Sequence, residues 1–170
     1  MMGLWTCSFA QHKAMLPNMS VTVTPSGTRG GTMPRIPGPL MQFFNDLIFF
    51  ALRGRPFSGL RLVRLTTIGA RSGQPRRSTL GCFAESDRSW VIIGSAGGAA
   101  KHPAWIYNLA KHPDQVWVEL GRQKIKVRPE TLTGEERAET WRRIVQAAPN
   151  YKSYETKTDR EIPLVRLVPA

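Results

Sequence analysis

Six short runs of apolar and β-branched residues, separated by tight turns, limit what this 170-residue chain can fold into. Such runs are typical of half-buried strands, because successive side chains along a strand face opposite sides of a sheet. They cover residues 60–68, 77–84, 90–94, 115–120, 124–128 and 162–168. Gly121 and Arg122 lie between the fourth and fifth runs, which are therefore joined by a connection of hairpin length. The pattern predicts a small antiparallel barrel decorated with helices, a mainly β fold of the α+β class.

Three further segments have the spacing of helices. Residues 39–52 repeat apolar side chains at intervals of three and four and stop before Gly54. Residues 103–111 place a proline at the first helical position. The third helix is expected to begin after Thr133, because Glu136 three residues later completes a capping box.

The helix over residues 39–52 allows two interpretations. It is too short to span a bilayer, which requires roughly 20 apolar residues. It either docks on the domain or lies in the membrane interface, helped by Arg53 and Arg55 beside it. The second interpretation predicts peripheral contact with the inner face of the cell membrane.

Residues 1–36 contain many Ser, Thr, Gly, Pro and Met residues without a sustained period. Because residues 20–32 offer little apolar surface to bury, we expect them to be disordered. The segment is either a disordered tail or an extension that precedes a natural start at Met33. Both interpretations predict that removing residues 1–32 leaves fold and ligand binding intact, with residues 37–170 forming a single domain.

Cysteine and histidine usage predicts a cytoplasmic protein without a metal site. Cys7 and Cys82 are the two cysteines, and the three histidines are scattered, with no metal-ligand spacing. We see no pattern of a secretory leader in the N-terminal residues. A reducing compartment fits this composition.

The formal net charge of +12 favours an anionic partner. Nucleic acid, a membrane surface and a polyanionic small molecule all meet that description. A nucleic-acid interface would interleave aromatic residues with the cations on a sheet face. The arginines instead crowd residues 53–77, so we do not expect nucleic acid as the partner.

The arginine-rich stretch contains a turn that suits a phosphate. Gly69 and Gly73 bracket it and allow backbone N–H groups to point into one small volume, where Arg71, Ser72 and Arg76 can converge. A solvated, basic hairpin turn is the structural alternative.

A second motif runs from a strand through a loop of small residues into a helix. Small residues allow a ring or phosphate to approach the backbone closely, and a helix N-terminus favours negative charge. Packing of Trp105 in the core is the alternative to stacking on a ligand. The candidate residues are Ser95, Ala96, Gly97, Gly98, Lys101, Trp105 and Asn108.

A third motif places Tyr151 and Tyr154 three residues apart, on one face if the segment is helical. Phenols beside a reacting ring can shape a pocket or donate a proton. Two half-exposed tyrosines that anchor a loop are the alternative.

Taken in order, the three motifs resemble the deazaflavin-dependent nitroreductase family of actinobacteria over roughly residues 59–168. They read Thr-Thr-x-Gly-x-Arg-Ser-Gly-x-x-Arg, Gly-Gly-x-x-Lys-His-Pro-x-Trp-x-x-Asn-Leu and Tyr-x-x-Tyr-x-x-Lys-Thr-Asp-Arg-x-Ile-Pro. The resemblance implies a split β-barrel of the FMN-binding type, the anionic coenzyme F420 as cofactor, and often a homodimer. It implies hydride transfer from the reduced deazaflavin to a small acceptor, such as a nitroaromatic, a quinone or an enone.

The resemblance also implies roles for the candidate residues. Arg71, Ser72 and Arg76 would hold the phosphate, the second motif would line the deazaflavin, and Tyr151 and Tyr154 would act near the substrate. Gly81 stands where some relatives carry an aromatic residue, which predicts a roomier or differently shaped pocket. Ala70 replaces a second basic residue of some relatives. The alternatives are an FMN- or haem-binding split barrel and a non-catalytic coenzyme binder.

Overall fold

The computed structural model describes residues 21–32, 38–52, 56–57, 60–86 and 88–170. The helices are α1 (Gly38–Leu52), α2 (Ala104–Lys111), α3 (Gly134–Ala147) and α4 (Asn150–Lys157). The strands are β1 (Pro56–Phe57), β2 (Leu60–Ile68), β3 (Pro75–Ser86), β4 (Ser89–Ile93), β5 (Trp117–Leu120), β6 (Gln123–Thr131) and β7 (Leu164–Pro169). A single 3-10 turn, Ala96–Gly98, follows β4.

Strands β2 to β7 form a closed antiparallel barrel. The sheet order is β1-β2-β3-β4-β7-β6-β5, and pairing of β2 with β5 closes the ring. Leu120 pairs with Gln123, which confirms the predicted hairpin. The predicted barrel with surrounding helices is therefore confirmed, with strand ends displaced by up to three residues.

The barrel interior is filled by the inward side chains of the strands and sealed by α2. Val63 and Leu65 alternate along β2 and are fully buried, as the period of two requires. Trp105, Ile106 and Leu109 of α2 pack into the same cluster. Helix α2 is therefore fixed against the barrel core, which gives rigid support to its polar side chains.

A second core lies between the strands and helices α3 and α4. Trp141 and Ile144 of α3 pack with Val91 and Leu164 from the strands. Thr133 precedes α3 as predicted, but its side chain makes no capping hydrogen bond, so the predicted capping box does not form. Helix α4 follows directly after α3. Of the two possibilities for the segment with Tyr151 and Tyr154, a helix and a loop, the structure shows the helix.

Helix α1 is attached through a charge cluster and leaves much apolar surface exposed. The guanidinium of Arg64 pairs with Glu119 and with Asp46 of α1, at 3.2 Å from the latter, and lies over the ring of Phe49. The exposed large side chains of α1 are Leu40, Phe43, Phe44, Leu47 and Phe50. No helix in the described part of the chain is long and apolar enough to cross a bilayer.

Residues 21–32 differ from the expectation of disorder. They run in an extended conformation beside the loop that follows β4, and Val21 is buried in the barrel cluster. Backbone hydrogen bonds join Gly27 to Ala100 and Gly31 to Gly98. A segment with little apolar surface is ordered here by polar contacts, which hydrophobic periodicity does not register. Residues 1–20 and 33–36 of the predicted extension lie outside the described residues.

Candidate functional site

The turn between β2 and β3 brings the predicted phosphate-binding residues together. Its backbone is closed by Gly69 N–H to Gln74 O at 2.9 Å and by Gly73 N–H to Gly69 O at 2.8 Å. Ser72 Oγ accepts hydrogen bonds from Gln74 N and from Arg76 Nη2, at 3.3 and 3.4 Å. A Cβ at Gly69 would lie 2.5 Å from Ser72 Oγ, so a side chain there would displace the Ser72 hydroxyl.

The cationic groups of this turn face solvent. Arg71, Ser72 and Arg76 are all exposed. Together they offer an anion two guanidinium groups and one hydroxyl on a closed, glycine-bracketed turn. We call residues 69–76 the arginine turn.

Helix α2 holds the arginine turn in place. Asn108 Oδ1 accepts from Ala70 N–H at 2.8 Å, and its Nδ2 donates to Thr67 Oγ1 at 3.0 Å. Lys111 Nζ donates to Ala70 O at 2.6 Å. Asn108 is 6% exposed, so it supports the turn from behind, whereas the resemblance implied that it lines the ring.

Sequence reasoning did not single out Lys111 as a site residue. Its position three residues after Asn108 puts both side chains on one face of α2. That spacing was the signal that could have indicated a shared contact.

The loop after β4 has an unusual backbone. Ala96, Gly97 and Gly98 have φ values of 48°, 64° and 83°. The positive φ of Ala96 is strained for a residue with a Cβ and is the kind of outlier that clusters at binding sites. A Cβ on Gly97 would meet no atom within 4 Å, so this position is open. We call residues 94–102 the glycine loop.

The other predicted residues of this motif separate into accessible and buried groups. Lys101 is exposed, while Ser95 is buried at 8% exposure. Trp105 is 5% exposed and packs in the barrel core. The structure therefore gives Trp105 the packing role and offers no open ring face for stacking on a ligand.

Helix α4 closes against the glycine loop and carries both predicted tyrosines. The rings of Tyr151 and Tyr154 meet edge to face, with centroids 5.5 Å apart. A Cβ on Gly98 would lie 2.8 Å from Lys157 Cβ and 3.1 Å from Tyr154 O. This close approach brings the third motif beside the second.

Tyr151 occupies the space beside Gly81. Its hydroxyl oxygen lies 3.2 Å from the position of a Cβ on Gly81. Tyr151 therefore partly fills the space that the missing side chain leaves, so of the two expectations a differently shaped pocket fits better than a roomier one. Burial, followed by the nearby Tyr154 and Cys82, raises the pKa of Tyr151 to about 12, so the phenol stays protonated near neutral pH.

Other chemistries find little support in the described residues. Burial raises the pKa of the Cys82 thiol to about 12, which opposes formation of a thiolate nucleophile. Within the described ranges, no three His, Cys, Asp or Glu side chains cluster as metal ligands would.

Comparison with known proteins supplies the family. The profile of the F420H(2)-dependent quinone reductase family matches residues 50–169. An F420H(2)-dependent quinone reductase of Mycobacterium tuberculosis is 32% identical over 141 residues, covering 81% of this chain and 91% of that relative.

Two solved structures show the same fold at substantial identity. One, described as an F420-H2 dependent reductase, is 37% identical with a TM-score of 0.56 and covers 62% of this chain and 92% of its own. Another, described as a domain-swapped dimer, is 32% identical with a TM-score of 0.57 and covers 76% of this chain and 98% of its own. This split-barrel chain belongs to the F420H(2)-dependent quinone reductase family, as an oxidoreductase that uses coenzyme F420.

Proposed function

We propose that this enzyme passes a hydride from reduced F420 to a quinone, with the coenzyme held between the arginine turn and the glycine loop. One observation carries the proposal. Helix α2 holds both segments. The glycine loop leads directly into its N-terminus, and the arginine turn is hydrogen-bonded to Asn108 and Lys111. Ala104 and Asn108 are about 6 Å apart along the helix axis, so two anion-friendly segments share one rigid support.

The donor set of the arginine turn fits the phosphodiester of the coenzyme. Arg71 and Arg76 supply charge-assisted hydrogen bonds, and Ser72 supplies a hydroxyl beside Arg76. All three groups are exposed, so they can reach a ligand without first breaking a buried ion pair.

The glycine loop fits a flat ring laid against the backbone. Gly97 has no side chain and open space where a Cβ would be. Lys101 adds a positive charge at the end of the loop. The bound coenzyme supplies the hydride, while the chain orients the reactants and excludes water.

Tyr151 and Tyr154 are the proposed catalytic residues on the acceptor side. Tyr151 remains protonated at neutral pH and can donate a hydrogen bond or proton to an oxygen that gains charge during reduction. Lys157 Nζ lies 5.4 Å from the ring centroid of Tyr154, which places a positive charge beside this tyrosine. A quinone carbonyl matches that chemistry, and the names of the relatives point to the same acceptor. Nitroaromatics and enones are further candidate acceptors.

A kinetic comparison tests the proposal. Oxidation of reduced F420 is followed spectroscopically with a soluble naphthoquinone for the wild type, Arg71→Ala and Arg76→Ala. Each lost charge-assisted bond is worth about 1.5–3 kcal/mol, so KM for the coenzyme should rise about tenfold to a hundredfold. Arg122→Ala removes an exposed cation from the β5–β6 hairpin and is the matched control.

The result that overturns the assignment is equally specific. If KM for the coenzyme in Arg71→Ala stays within twofold of the Arg122→Ala value, the arginine turn does not hold the phosphate. Turnover with a bound flavin mononucleotide alone would favour the FMN alternative.

The exposed face of α1 supports a second proposal, peripheral contact with the membrane. Phe43 and Leu47 are 62% and 52% exposed, on a helix with its polar Asp46 turned to Arg64. An amphipathic helix of this kind can lie in the lipid interface. Co-sedimentation with anionic vesicles should fall in the Phe43→Glu, Leu47→Glu double variant, and unchanged binding refutes the contact.

A homodimer is the proposed assembly. The solved relative described as a domain-swapped dimer supports it at 32% identity. Light scattering on the purified full chain should give twice the mass of one chain, and a monomer at all concentrations would contradict the proposal.

A further inference from the structure

We propose that residues 21–32 form a strap that holds the glycine loop in the shape that binds the coenzyme, with Asp159 and Arg160 as positioning residues. We call these residues the strap. The inference rests on the proposed role of the glycine loop in coenzyme binding. It reverses the expectation from the sequence that residues 1–32 are dispensable for binding.

The backbone of the strap is hydrogen-bonded directly to the glycine loop. Gly27 N–H donates to Ala100 O and Gly31 N–H donates to Gly98 O, both at 2.9 Å. Gly31 and Ala99 also form a parallel β-bridge. The strap thus adds a short strand-like edge to the segment that follows the positive-φ residues.

The carboxylate of Asp159 also binds the strap. Its Oδ2 accepts hydrogen bonds from Thr28 N at 3.1 Å and Thr28 Oγ1 at 2.6 Å, and its Oδ1 accepts from Arg29 N at 3.0 Å. Arg29 O in turn accepts from Thr158 Oγ1 at 3.1 Å. One carboxylate therefore satisfies three donors of a segment that has few apolar contacts of its own.

Arg160 fastens the glycine loop itself. The residue is 6% exposed, and its guanidinium donates to Ala99 O at 2.8 Å and to Gly94 O and Ser95 O at 2.9 Å. These carbonyls flank the three residues with positive φ. Because one planar guanidinium binds carbonyls on both sides of residues 96–98, it fixes the two ends of this segment relative to each other.

His102 joins Arg160 to the strap. Its Nδ1 lies 3.3 Å from Arg160 Nη1, and its Nε2 lies 2.9 Å from Thr24 O. Because a guanidinium can only donate, Nδ1 accepts and Nε2–H donates to the carbonyl. The neutral imidazole therefore continues the chain of hydrogen bonds from the glycine loop into residues 21–32.

Gly30 is required by close packing against the loop backbone, and Gly27 lies against the Asp159 carboxylate. A Cβ on Gly27 would lie 2.1 Å from Asp159 Oδ1, and one on Gly30 would lie 2.3 Å from Ala100 N. A Cβ on Gly31 would find its nearest neighbour, Gly98 O, at 3.9 Å. A side chain at Gly30 would therefore collide with the loop backbone, whereas one at Gly31 would not.

The energetic reason for a strap lies in the loop backbone. Ala96 has a positive φ, which is unfavourable unless surrounding contacts fix it, and the two glycines after it lose much conformational freedom when they are ordered. If release of the strap leaves the loop competent in only a fraction of molecules, the apparent coenzyme affinity falls by that fraction. The strap touches the barrel core through Val21, which the variants at Asp159, Gly30 and Gly31 leave unchanged, so affinity and stability should separate in them.

For Asp159→Asn, electrostatics and the positioning role of the strap predict opposite changes in Kd for F420. The substitution keeps the side-chain size, removes one negative charge, and sets an amide NH2 against hydrogen-bond donors that the carboxylate accepted from. Electrostatics alone would tighten binding of the anionic coenzyme. The strap predicts that Kd for F420 rises about fivefold or more. KM for the coenzyme should rise with it, while kcat at saturating coenzyme changes little.

Two kinds of control accompany that variant. Glu139→Gln makes the same charge change at an exposed acid on α3 and should leave Kd unchanged or slightly lower. Gly30→Ala should weaken coenzyme binding as Asp159→Asn does, while Gly31→Ala should stay within twofold of the wild type. Thermal midpoints within about 4 °C of the wild type show that the barrel is intact.

The outcomes separate this inference from the proposed function. If Asp159→Asn matches Glu139→Gln, and Gly30→Ala matches Gly31→Ala, the strap does not position the loop, although Arg71→Ala can still weaken binding in the same titration. If the wild type itself fails to bind F420, the proposed function fails first. If Asp159→Asn does not fold, the glycine pair decides the question.

Discussion

Replacement of Asn108 by alanine tests whether α2 holds the arginine turn. In the structure the amide makes two hydrogen bonds, to Ala70 N–H at 2.8 Å and to Thr67 Oγ1 at 3.0 Å. Asn108 and Thr67 are 6% and 2% exposed, so truncation leaves polar groups without a partner and with little access to water.

The size of the effect follows from those two bonds. An unsatisfied buried polar group costs about 1–3 kcal/mol. The Thr67 hydroxyl can rotate and the Ala70 N–H is only partly buried, so we expect a loss of about 2–3 kcal/mol in the free energy of unfolding. With a urea dependence of about 2 kcal/mol/M, the unfolding midpoint should fall by about 1 M.

Urea unfolding followed by tryptophan fluorescence measures this change, and Gln115→Ala serves as the exposed amide control. Surface truncations of that kind stay within about 0.5 kcal/mol. Asn108→Ala should also raise Kd for F420, because the arginine turn loses its support. If the midpoint of Asn108→Ala equals that of Gln115→Ala, the amide does not anchor the turn and our account of α2 is wrong.

Three further predictions concern single side chains. Neutral His102 is stabilised in the fold because burial and then the charge of Arg160 lower its pKa from 6.5, and the ring of Tyr107 also faces it. The contribution of His102 to stability should therefore be fully present above pH 6.5 and decline as the pH falls below that value. Between pH 8 and 5.5 the urea midpoint should depend less on pH in His102→Gln than in the wild type, and the same pH dependence in both proteins would refute the linkage. Tyr151→Phe should lower kcat with a quinone, on the order of a hundredfold if the phenol donates a proton, at unchanged Kd for F420; an unchanged kcat removes Tyr151 from the mechanism. Gly81→Phe should displace the Tyr151 hydroxyl and raise KM for the acceptor, and an unaltered KM would place the acceptor elsewhere.

The barrel could be predicted because its strands bury one face or both. Strand β2 was predicted over its full length, since Val63 and Leu65 alternate with less buried residues. The N-terminus of α3 was found at Thr133, but the hydrogen bonds of a capping box depend on side-chain geometry that spacing does not determine.

The candidate site was predictable only in part. The arginine turn and the two tyrosines were proposed from residue type and order, and their roles remain predictions. Asn108 was assigned to the ligand because its place in the motif does not reveal which way its amide points. The relation between Gly81 and Tyr151 joins residues 70 positions apart, which no local pattern records.

The strap was missed for a different physical reason. Residues 21–32 have almost no apolar periodicity, so a hydrophobicity argument assigns them to disorder. Their order comes from backbone hydrogen bonds and from one carboxylate, Asp159, more than 125 residues further along the chain. Long-range polar contacts of this kind are visible only in the folded structure.

Fluorescence titration of the purified full chain with F420 and, in parallel, with FMN tests the central claim most directly. The account predicts micromolar or tighter binding of F420, weakened about tenfold or more in Arg71→Ala, and much weaker binding of FMN. Micromolar binding of FMN alone would contradict it.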